Sequence, residues 1–370
     1  MPHIASALRQ AESALYLSAP NPRVGCVLVN PQGIVIGQGH TQKVGAPHAE
    51  VMALRNAQAQ GHSTQGATAY VTLEPCAHQG RTGPCCDALI QAGIARVVAS
   101  LQDPNPLVAG QGFARLRAAG IAVEVGPGAA ESRELNIGFF SRMQRRKPWM
   151  RLKVAASLDG ATALNNGQSQ WITGPQARTD GHAWRARACA ILTGVGTVLQ
   201  DKPLLDVRHV DTPRQPMLVI VDSALQTPPD AALFGPARKV LMYAAQPHPA
   251  REVALRQAGA EIVYLPGTMG EDDAAPKVDL RAMAQDLARR ECNEIHIEAG
   301  HKLNGSLLRA GLVDELLVYL APLWLGQGAG MSNFGPLSAL AQGLALDFQS
   351  AERIGPDLRI LARVQGSADF

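Results

Sequence analysis

A histidine and two cysteines, His48, Cys76 and Cys85, constrain this chain more than any other feature. One imidazole nitrogen and two thiolates hold a zinc ion and leave a fourth tetrahedral position open for water, which is what a catalytic zinc needs. For such ligands to meet at one ion, the intervening backbone must turn back at defined points, and the local sequence supplies them. His48-Ala49-Glu50 opens a segment running to Gln60 with apolar residues at helical spacing (Val51, Leu54, Ala57). Ala69 to Leu73 reads as a strand that delivers Glu74-Pro75-Cys76 at its tip. Cys85 to Ala92 reads as a helix with Pro84 where proline starts helices, and positive partial charge at that start favours the Cys85 thiolate. Glu50 is a carboxylate placed to take a proton from the water and pass it on.

The elements around these ligands alternate. A helix is expected from His3 to Leu17, a strand at Cys26–Val29, and a return strand at Ile34–Ile36 after the turn Pro31-Gln32-Gly33. Arg96–Ala99 and Ile121–Val125 complete a βαβαβ series, hence a sheet with helices on its faces. The basic stretch Arg142 to Pro148 reads as a linker and sets the domain boundary, giving domains 1–146 and 147–370. Beyond it, strands are expected at Met150–Ala155, Ala190–Thr193, Met217–Val221, Lys239–Tyr243, Glu261–Leu265, Glu294–Glu298 and Glu315–Leu320. A helix is expected at Pro175–Arg187, after a capping-box-like Thr173-Gly174-Pro175-Gln176, and Leu358–Val364 reads as a closing antiparallel strand. This is a mostly parallel α/β domain, and Pro266 to Lys277 is expected to be a mobile loop. Gly194-Val195-Gly196 resembles a nucleotide-binding turn, although Leu199 stands where the dinucleotide fingerprint has its third glycine. Gly300 to Ser306 is a second strand-to-helix turn whose amides can hold a cofactor phosphate.

A chain of 370 residues fits two domains, and 46% apolar with 18% charged residues belongs to an ordered protein. Net charge of +3 and an aromatic content of 4% give little with which to grip or stack a nucleic-acid strand. The first residues carry charge early and no apolar run approaches membrane-span length, so neither a signal peptide nor a membrane partner is expected. Of the cysteines Cys26, Cys76, Cys85, Cys86, Cys189 and Cys292, three crowd the metal motif. That distribution suits a reducing cytoplasm and metal binding rather than a disulfide framework. Whether copies associate into a homo-oligomer is left open.

H-x-E followed by P-C is the order of the zinc deaminases, but eight residues separate Cys76 from Cys85 where the general pattern has two. A closed structural zinc with Cys86 as fourth ligand is the alternative; adjacent cysteines do not easily both face one ion. The longer gap fits a narrower resemblance. His48-Ala49-Glu50, Glu74-Pro75-Cys76-Ala77-His78-Gln79-Gly80-Arg81-Thr82 and Pro84-Cys85-Cys86-Asp87-Ala88-Leu89-Ile90 resemble the deaminase half of the bifunctional riboflavin-biosynthesis deaminase/reductase family. Asn21-Pro22, Asp103-Pro104-Asn105-Pro106, Ser157-Leu158-Asp159-Gly160, Ser169-Gln170-Trp171-Ile172-Thr173, the Asp201 to Arg208 stretch and Glu298-Ala299-Gly300 extend the likeness over essentially the whole chain.

The resemblance implies a cytidine-deaminase-like three-layer αβα domain followed by a dihydrofolate-reductase-like α/β domain. It implies zinc on His48, Cys76 and Cys85, with Glu50 moving protons as a diaminopyrimidinone ribosyl phosphate loses ammonia. Asn21, His78 and Arg81 would touch ring or phosphate, while His40 and Thr41 depart from the family pattern. The second half would bind NADPH at Ala155, Trp171, Thr197, Asp201, Ser223 and the turn Gly300, His301, Lys302, Leu303, Asn304, Gly305 and Ser306. Ser169, Arg185, Leu205, Arg208 and Glu298 would hold the substrate, the arginines through paired hydrogen bonds to its phosphate. Lys153 is expected to orient or polarise the sugar as it is reduced to a ribityl chain, or else to form a buried salt bridge. The competing readings are a deaminase of nucleic-acid bases with an accessory domain, and a non-catalytic zinc-stabilised binding protein.

Overall fold

The computed structural model describes residues 2–78, 83–106, 108–268 and 275–370. The chain divides into two compact units, Met1–Arg145 and Arg146–Phe370. Among the described residues no helix is long and apolar enough to cross a membrane.

Unit 1 runs α1 (Pro2–Glu12), β1 (Gly25–Val29), β2 (Val35–His40), α2 (Ala49–Ala59), β3 (Thr68–Val71), α3 (Cys85–Gln91), β4 (Arg96–Ala99), α4 (Gln111–Ala118), β5 (Ala122–Val125), α5 (Ala129–Leu135) and α6 (Ile137–Arg145). Its sheet has the order β2-β1-β3-β4-β5, with β1 antiparallel to both neighbours and β3, β4 and β5 parallel. β1 is buried throughout, as an unbroken apolar run in a central strand must be. The helix expected to reach Leu17 ends at Glu12. From Ser13 onward the backbone continues in tighter i to i−3 turns that still bury Ala14. Arg142 to Pro148 is not a plain linker either. Ile137, Phe139 and Phe140 are buried in the first turn of α6, and the helix runs on through Arg145.

Unit 2 runs β6 (Trp149–Ser157), β7 (Ala161–Leu164), α7 (Pro175–Arg187), β8 (Ala190–Gly194), α8 (Val195–Asp201), β9 (Met217–Val221), β10 (Val240–Ala244), α9 (Pro249–Gln257), β11 (Ala260–Tyr264), α10 (Leu280–Arg289), β12 (Glu294–Ile297), α11 (His301–Arg309), β13 (Glu315–Ala321), β14 (Gly328–Gly330), β15 (Leu346–Ile354) and β16 (Asp357–Val364). The main sheet has the order β11-β10-β9-β8-β12-β6-β13-β16-β15, parallel from β11 to β13 and antiparallel at the β16 and β15 end. Met150, Leu152, Ile295, Ile297 and Leu192 from its central strands join one core with Met283 and Leu287 of α10.

One sequence expectation changes here, one strand was missed, and one expected loop falls partly outside the described residues. The capping box before α7 is absent: Gly174 is the N-cap without a side-chain cap, and its N–H donates instead to Asp357 Oδ2 at 2.7 Å. β15 escaped the sequence reading because most of its residues are exposed on both faces, so no alternation marks it. Of the expected loop Pro266 to Lys277, residues 269–274 lie outside the described residues, and Pro266 pairs with Val278 in an isolated bridge.

Candidate active sites

In unit 1 the approach of α2 to β2 sets the site. A Cβ at Gly37 would stand 2.4 Å from Ala53 O, and one at Gly39 would stand 2.5 Å from Met52 Cβ, so only glycine lets the helix lie this close. The approach brings His48, the N-cap of α2, and Glu50, in its first turn, to the tip of β3. His48 Nδ1 lies 3.6 Å from Cys76 Sγ and 3.4 Å from Cys85 Sγ, with all three ligand atoms within 4.8 Å of one another. Zinc bonds of about 2.0 to 2.3 Å in a tetrahedron give ligand separations of roughly 3.3 to 3.8 Å, so the two measured distances fit the ion. The Cys85 N–H, at the start of α3, also donates to Cys76 Sγ at 3.3 Å. A hydrogen bond from the Cys85 thiol, then one from His48, then that backbone bond hold the Cys76 thiol below its usual range. The Cys85 thiol, as the donor to Cys76, is pushed up rather than favoured as the thiolate expected at this helix start. Cys86 faces the other way, donating to Pro75 O at 3.1 Å and Gly112 O at 3.5 Å. Three protein ligands are therefore gathered here among the described residues, as an open site requires.

Glu50 is 3% exposed. Burial and the Cys76 charge raise its carboxyl to about 7 against the lowering effect of His48 and of hydrogen bonds from its own backbone and Cys85. Glu74, named in the motif but given no task by the sequence, anchors the far wall. Its carboxylate accepts N–H groups from Asp103 (3.1 Å), Gly110 (2.9 Å), Gly112 (2.8 Å) and Phe113 (3.3 Å). Asp103, drawn in by these bonds, has its carboxyl raised to about 6, chiefly by burial.

The remaining expected contacts of unit 1 are less engaged. Asn21 is half-buried in a turn, its N–H donating to Ser18 O at 2.8 Å, and His78 is exposed. Arg81 lies outside the described residues. His40 ends β2, half-buried, whereas Thr41 is buried with Oγ1 bonded to the N–H and C=O of Val24, a structural task.

In unit 2 a cleft of about 1410 Å³ opens at the carboxyl ends of β6, β8, β9 and β12, the edge where parallel α/β sheets bind ligands. Two strand-to-helix turns meet there: a Cβ at Gly300, N-cap of α11, would lie 3.6 Å from Thr197 Oγ1 of α8. Ala155, Ser223 and Asp201 also line the cleft, with Ser169 Oγ donating to Asp201 Oδ1 at 3.1 Å. Trp171, 69% exposed, lies with the Arg178 guanidinium 4.7 Å from its ring, so it is not core. His301, Lys302, Leu303, Asn304 and Ser306 reach the cleft, but Gly305 does not. It is buried where a Cβ would stand 2.1 Å from Asn333 O, a packing glycine rather than a lining one.

Glu298 centres the charged end of the cleft. It pairs with Arg185 through both carboxylate oxygens and with Lys153 Nζ at 3.7 Å, and His296 Nε2 lies 3.2 Å away. Burial alone would raise its carboxyl, but the Arg185 and Lys153 charges hold it well below the ordinary range. Burial lowers the Lys153 ammonium, partly offset by Glu298. Arg185 lines the cleft, its Nε and Nη2 engaged by Glu298 and its Nη1 donating to Asp206 O at 2.9 Å. Arg208, with its side chain 42% exposed, lines the same cleft and pairs with Asp206, while Leu205 is buried beside it.

A helix-borne histidine and two cysteines meeting over a buried glutamate define the class of zinc hydrolases that deaminate nucleobases, and unit 1 has that arrangement. Comparison with known proteins agrees. Residues 2–101 match the cytidine and deoxycytidylate deaminase zinc-binding region, and residues 148–360 match the RibD C-terminal domain. Over 369 residues the chain is 43% identical to riboflavin biosynthesis protein RibD of Escherichia coli (strain K12), covering 96% of this chain and 97% of that protein. RibD of Aquifex aeolicus is 38% identical, with 96% and 95% covered. Among solved structures, form 1 of Acinetobacter baumannii RibD superposes with a TM-score of 0.88 at 39% identity, covering 98% of each chain. A diaminohydroxyphosphoribosylaminopyrimidine deaminase/5-amino-6-(5-phosphoribosylamino)uracil reductase of Thermotoga maritima does so at 0.84 with 29% identity and the same coverage. The chain belongs to the RibD family.

Proposed function

We propose that this chain catalyses two consecutive steps of riboflavin biosynthesis. The first is zinc-dependent hydrolytic deamination of 2,5-diamino-6-ribosylamino-4(3H)-pyrimidinone 5′-phosphate. The second is NADPH-dependent reduction of the ribosyl group of 5-amino-6-(5-phosphoribosylamino)uracil to ribityl. The observation that carries the reading is the meeting of His48, Cys76 and Cys85 beside buried Glu50, in a chain whose second unit holds the Lys153–Glu298–Arg185 cluster in a cleft.

His48, Cys76 and Cys85 would hold the zinc, which when bound supplies a water acidic enough to attack at neutral pH. Glu50, buried beside the ligands, takes the proton of that water and returns it to the departing amine. The ring carbon exchanges a C–N bond for a C–O bond and ammonia leaves. Asn21, His78 and Arg81 are the proposed contacts to ring or phosphate. In the second step NADPH, when bound, supplies the hydride that reduces the sugar carbon. Ala155, Trp171, Thr197, Asp201, Ser223 and the Gly300–Ser306 turn cradle the cofactor, with Gly305 serving by letting α11 pack. Lys153 orients or polarises the sugar as its ring opens, with Glu298 setting the lysine's position. Ser169, Arg185, Leu205, Arg208 and Glu298 position the substrate. Modest charge and few aromatics favour a small-molecule substrate over nucleic acid.

The test is one assay on purified chain: ammonia release from the diaminopyrimidinone ribosyl phosphate without cofactor, then NADPH oxidation when cofactor is added. Both signals in that order are expected. Ammonia alone would restrict the reading to unit 1, and neither signal from folded, zinc-loaded protein would overturn it.

A further inference from the structure

The segment 204–208 forms the cleft wall that carries Arg208, and no helix or strand includes it. Its backbone is held instead by side chains from elsewhere. Leu204 O and Leu205 O accept from the Arg238 guanidinium. Asp206 O accepts from Arg185 Nη1 at 2.9 Å. The Gln215 amide brackets Val207, accepting from its N–H at 2.8 Å and donating to its carbonyl at 2.9 Å. Arg208 N–H donates to His182 Nδ1 at 3.2 Å. Leu205 sits at φ 51°, in a region where leucine is rare, so the shape of the wall depends on these bonds.

We propose that His182 is a positioning residue for Arg208: its neutral imidazole fixes the Arg208 backbone so that the guanidinium is presented to the substrate phosphate. The inference rests on the reading of Arg208 as a phosphate contact. His182 lies on α7, 5% exposed, and its ring meets that of His209 edge-on at 4.6 Å. For Nδ1 to accept the Arg208 N–H, the ring proton must be on Nε2; an imidazolium has no acceptor. The charged or protonatable groups facing it are Arg185 of its own helix, Arg208 of the wall, His209 just after it, and Glu298 following β12. Burial first, then the three cationic or protonatable neighbours, hold the ring down at about 4, with Glu298 opposing. His182 therefore stays a neutral acceptor throughout the physiological range. Arg185, one turn further along α7, grips Asp206 O while paired with Glu298. One helix thus sets the phosphate wall and the charged centre together.

The test uses the full chain with 5-amino-6-(5-phosphoribosylamino)uracil and with the same compound lacking its phosphate. His182→Ala should raise KM for the phosphorylated substrate about threefold to tenfold, the scale of one lost hydrogen bond, with kcat changed less than about twofold. KM for the phosphate-free compound should not move, ammonia release should be intact, and His182→Ala should add nothing to Arg208→Ala. His182→Asn, which can place an amide oxygen where Nδ1 lies, should restore KM, while His182→Gln, whose oxygen lies further out, should not. An equal KM rise for both compounds, or loss of kcat alone, would overturn the proposal. If Arg208→Ala itself leaves KM unchanged, the phosphate reading of Arg208 fails instead. Should His182→Ala not fold, the Asn and Gln variants decide: equal KM in both overturns the proposal.

Discussion

In unit 1 two of the three metal ligands sit at helix starts, His48 before α2 and Cys85 at the first residue of α3, while Cys76 stands in the loop five residues past the end of β3. In unit 2 the wall bearing Arg208 belongs to no element and is tied by Arg238, Arg185, Gln215 and His182, drawn from separate parts of the chain. The difference concerns where precision comes from. A ligand on a helix terminus inherits its position from many backbone bonds at once, so only loss of the ligand itself removes the site. A wall held by single side-chain bonds has its precision divided into steps of about 0.5–1.5 kcal/mol, each removable alone. Substitutions in unit 1 should therefore act nearly all-or-none, and those in the wall by degrees.

The strongest way to break that comparison is at Glu50. Glu50→Gln keeps the size of the side chain and removes the proton acceptor, so ammonia release should fall about 10²- to 10⁴-fold while zinc content and NADPH oxidation with the uracil substrate persist. Metal analysis beside the two assays checks it, and zinc loss would make Glu50 a structural residue. Next come the adjacent cysteines. Cys85→Ser should abolish both zinc binding and ammonia release, whereas Cys86→Ser, whose native thiol points at Pro75 O and Gly112 O, should keep zinc and most activity. Equal metal loss in both would mean that Cys86 is a ligand and the site closed.

The same contrast explains what the sequence made legible. The metal ligands were readable because prolines and helix starts punctuate the chain around His48, Cys76 and Cys85. The helix Pro175–Arg187, by contrast, was expected behind a capping box that the structure does not form. Glu74 was visible as a residue but not as an anchor, since its donors Asp103, Gly110, Gly112 and Phe113 lie in a later segment and offer backbone rather than a motif. The pairing of Arg185 with Glu298, far along the chain, left no sequence signal, because an arginine's chemistry is local while its partner is not. His182, Gln215 and Arg238 left no sequence signal, because bonds to backbone carbonyls and amides place no demand on the identity of the residue they hold. β15 failed for a different reason: a strand exposed on both faces has no pattern to read.

Glu74 sharpens the comparison inside unit 1, because it is a side-chain clamp in a unit otherwise set largely by helix starts. Glu74→Gln replaces one of the two acceptor oxygens by a donor facing N–H groups. Unit 1 should lose about 2–3 kcal/mol in urea unfolding, the scale of hydrogen bonds to a charged group, with zinc still bound at saturation. Unit 2 should keep its NADPH oxidation. An unchanged midpoint for unit 1 would show that the segment 103–113 is held by its own turns.

The smallest effect belongs to Arg238, and it tests whether the wall yields by degrees. Burial lowers its guanidinium to about 10, opposed by Asp206, so it remains charged at neutral pH and its bonds to Leu204 O and Leu205 O remain charge-assisted. A third bond reaches Leu233 O at 3.2 Å, tying the wall to a buried side chain's backbone. Arg238→Met keeps the apolar stem and removes all three donors. With Arg185, Gln215 and His182 still in place, KM for the phosphorylated substrate should rise only about threefold to fivefold, and KM for NADPH should stay constant. Steady-state kinetics on both substrates measure this directly. A loss of all reductase activity would mean that the wall is one cooperative element, and the distinction from unit 1 would disappear.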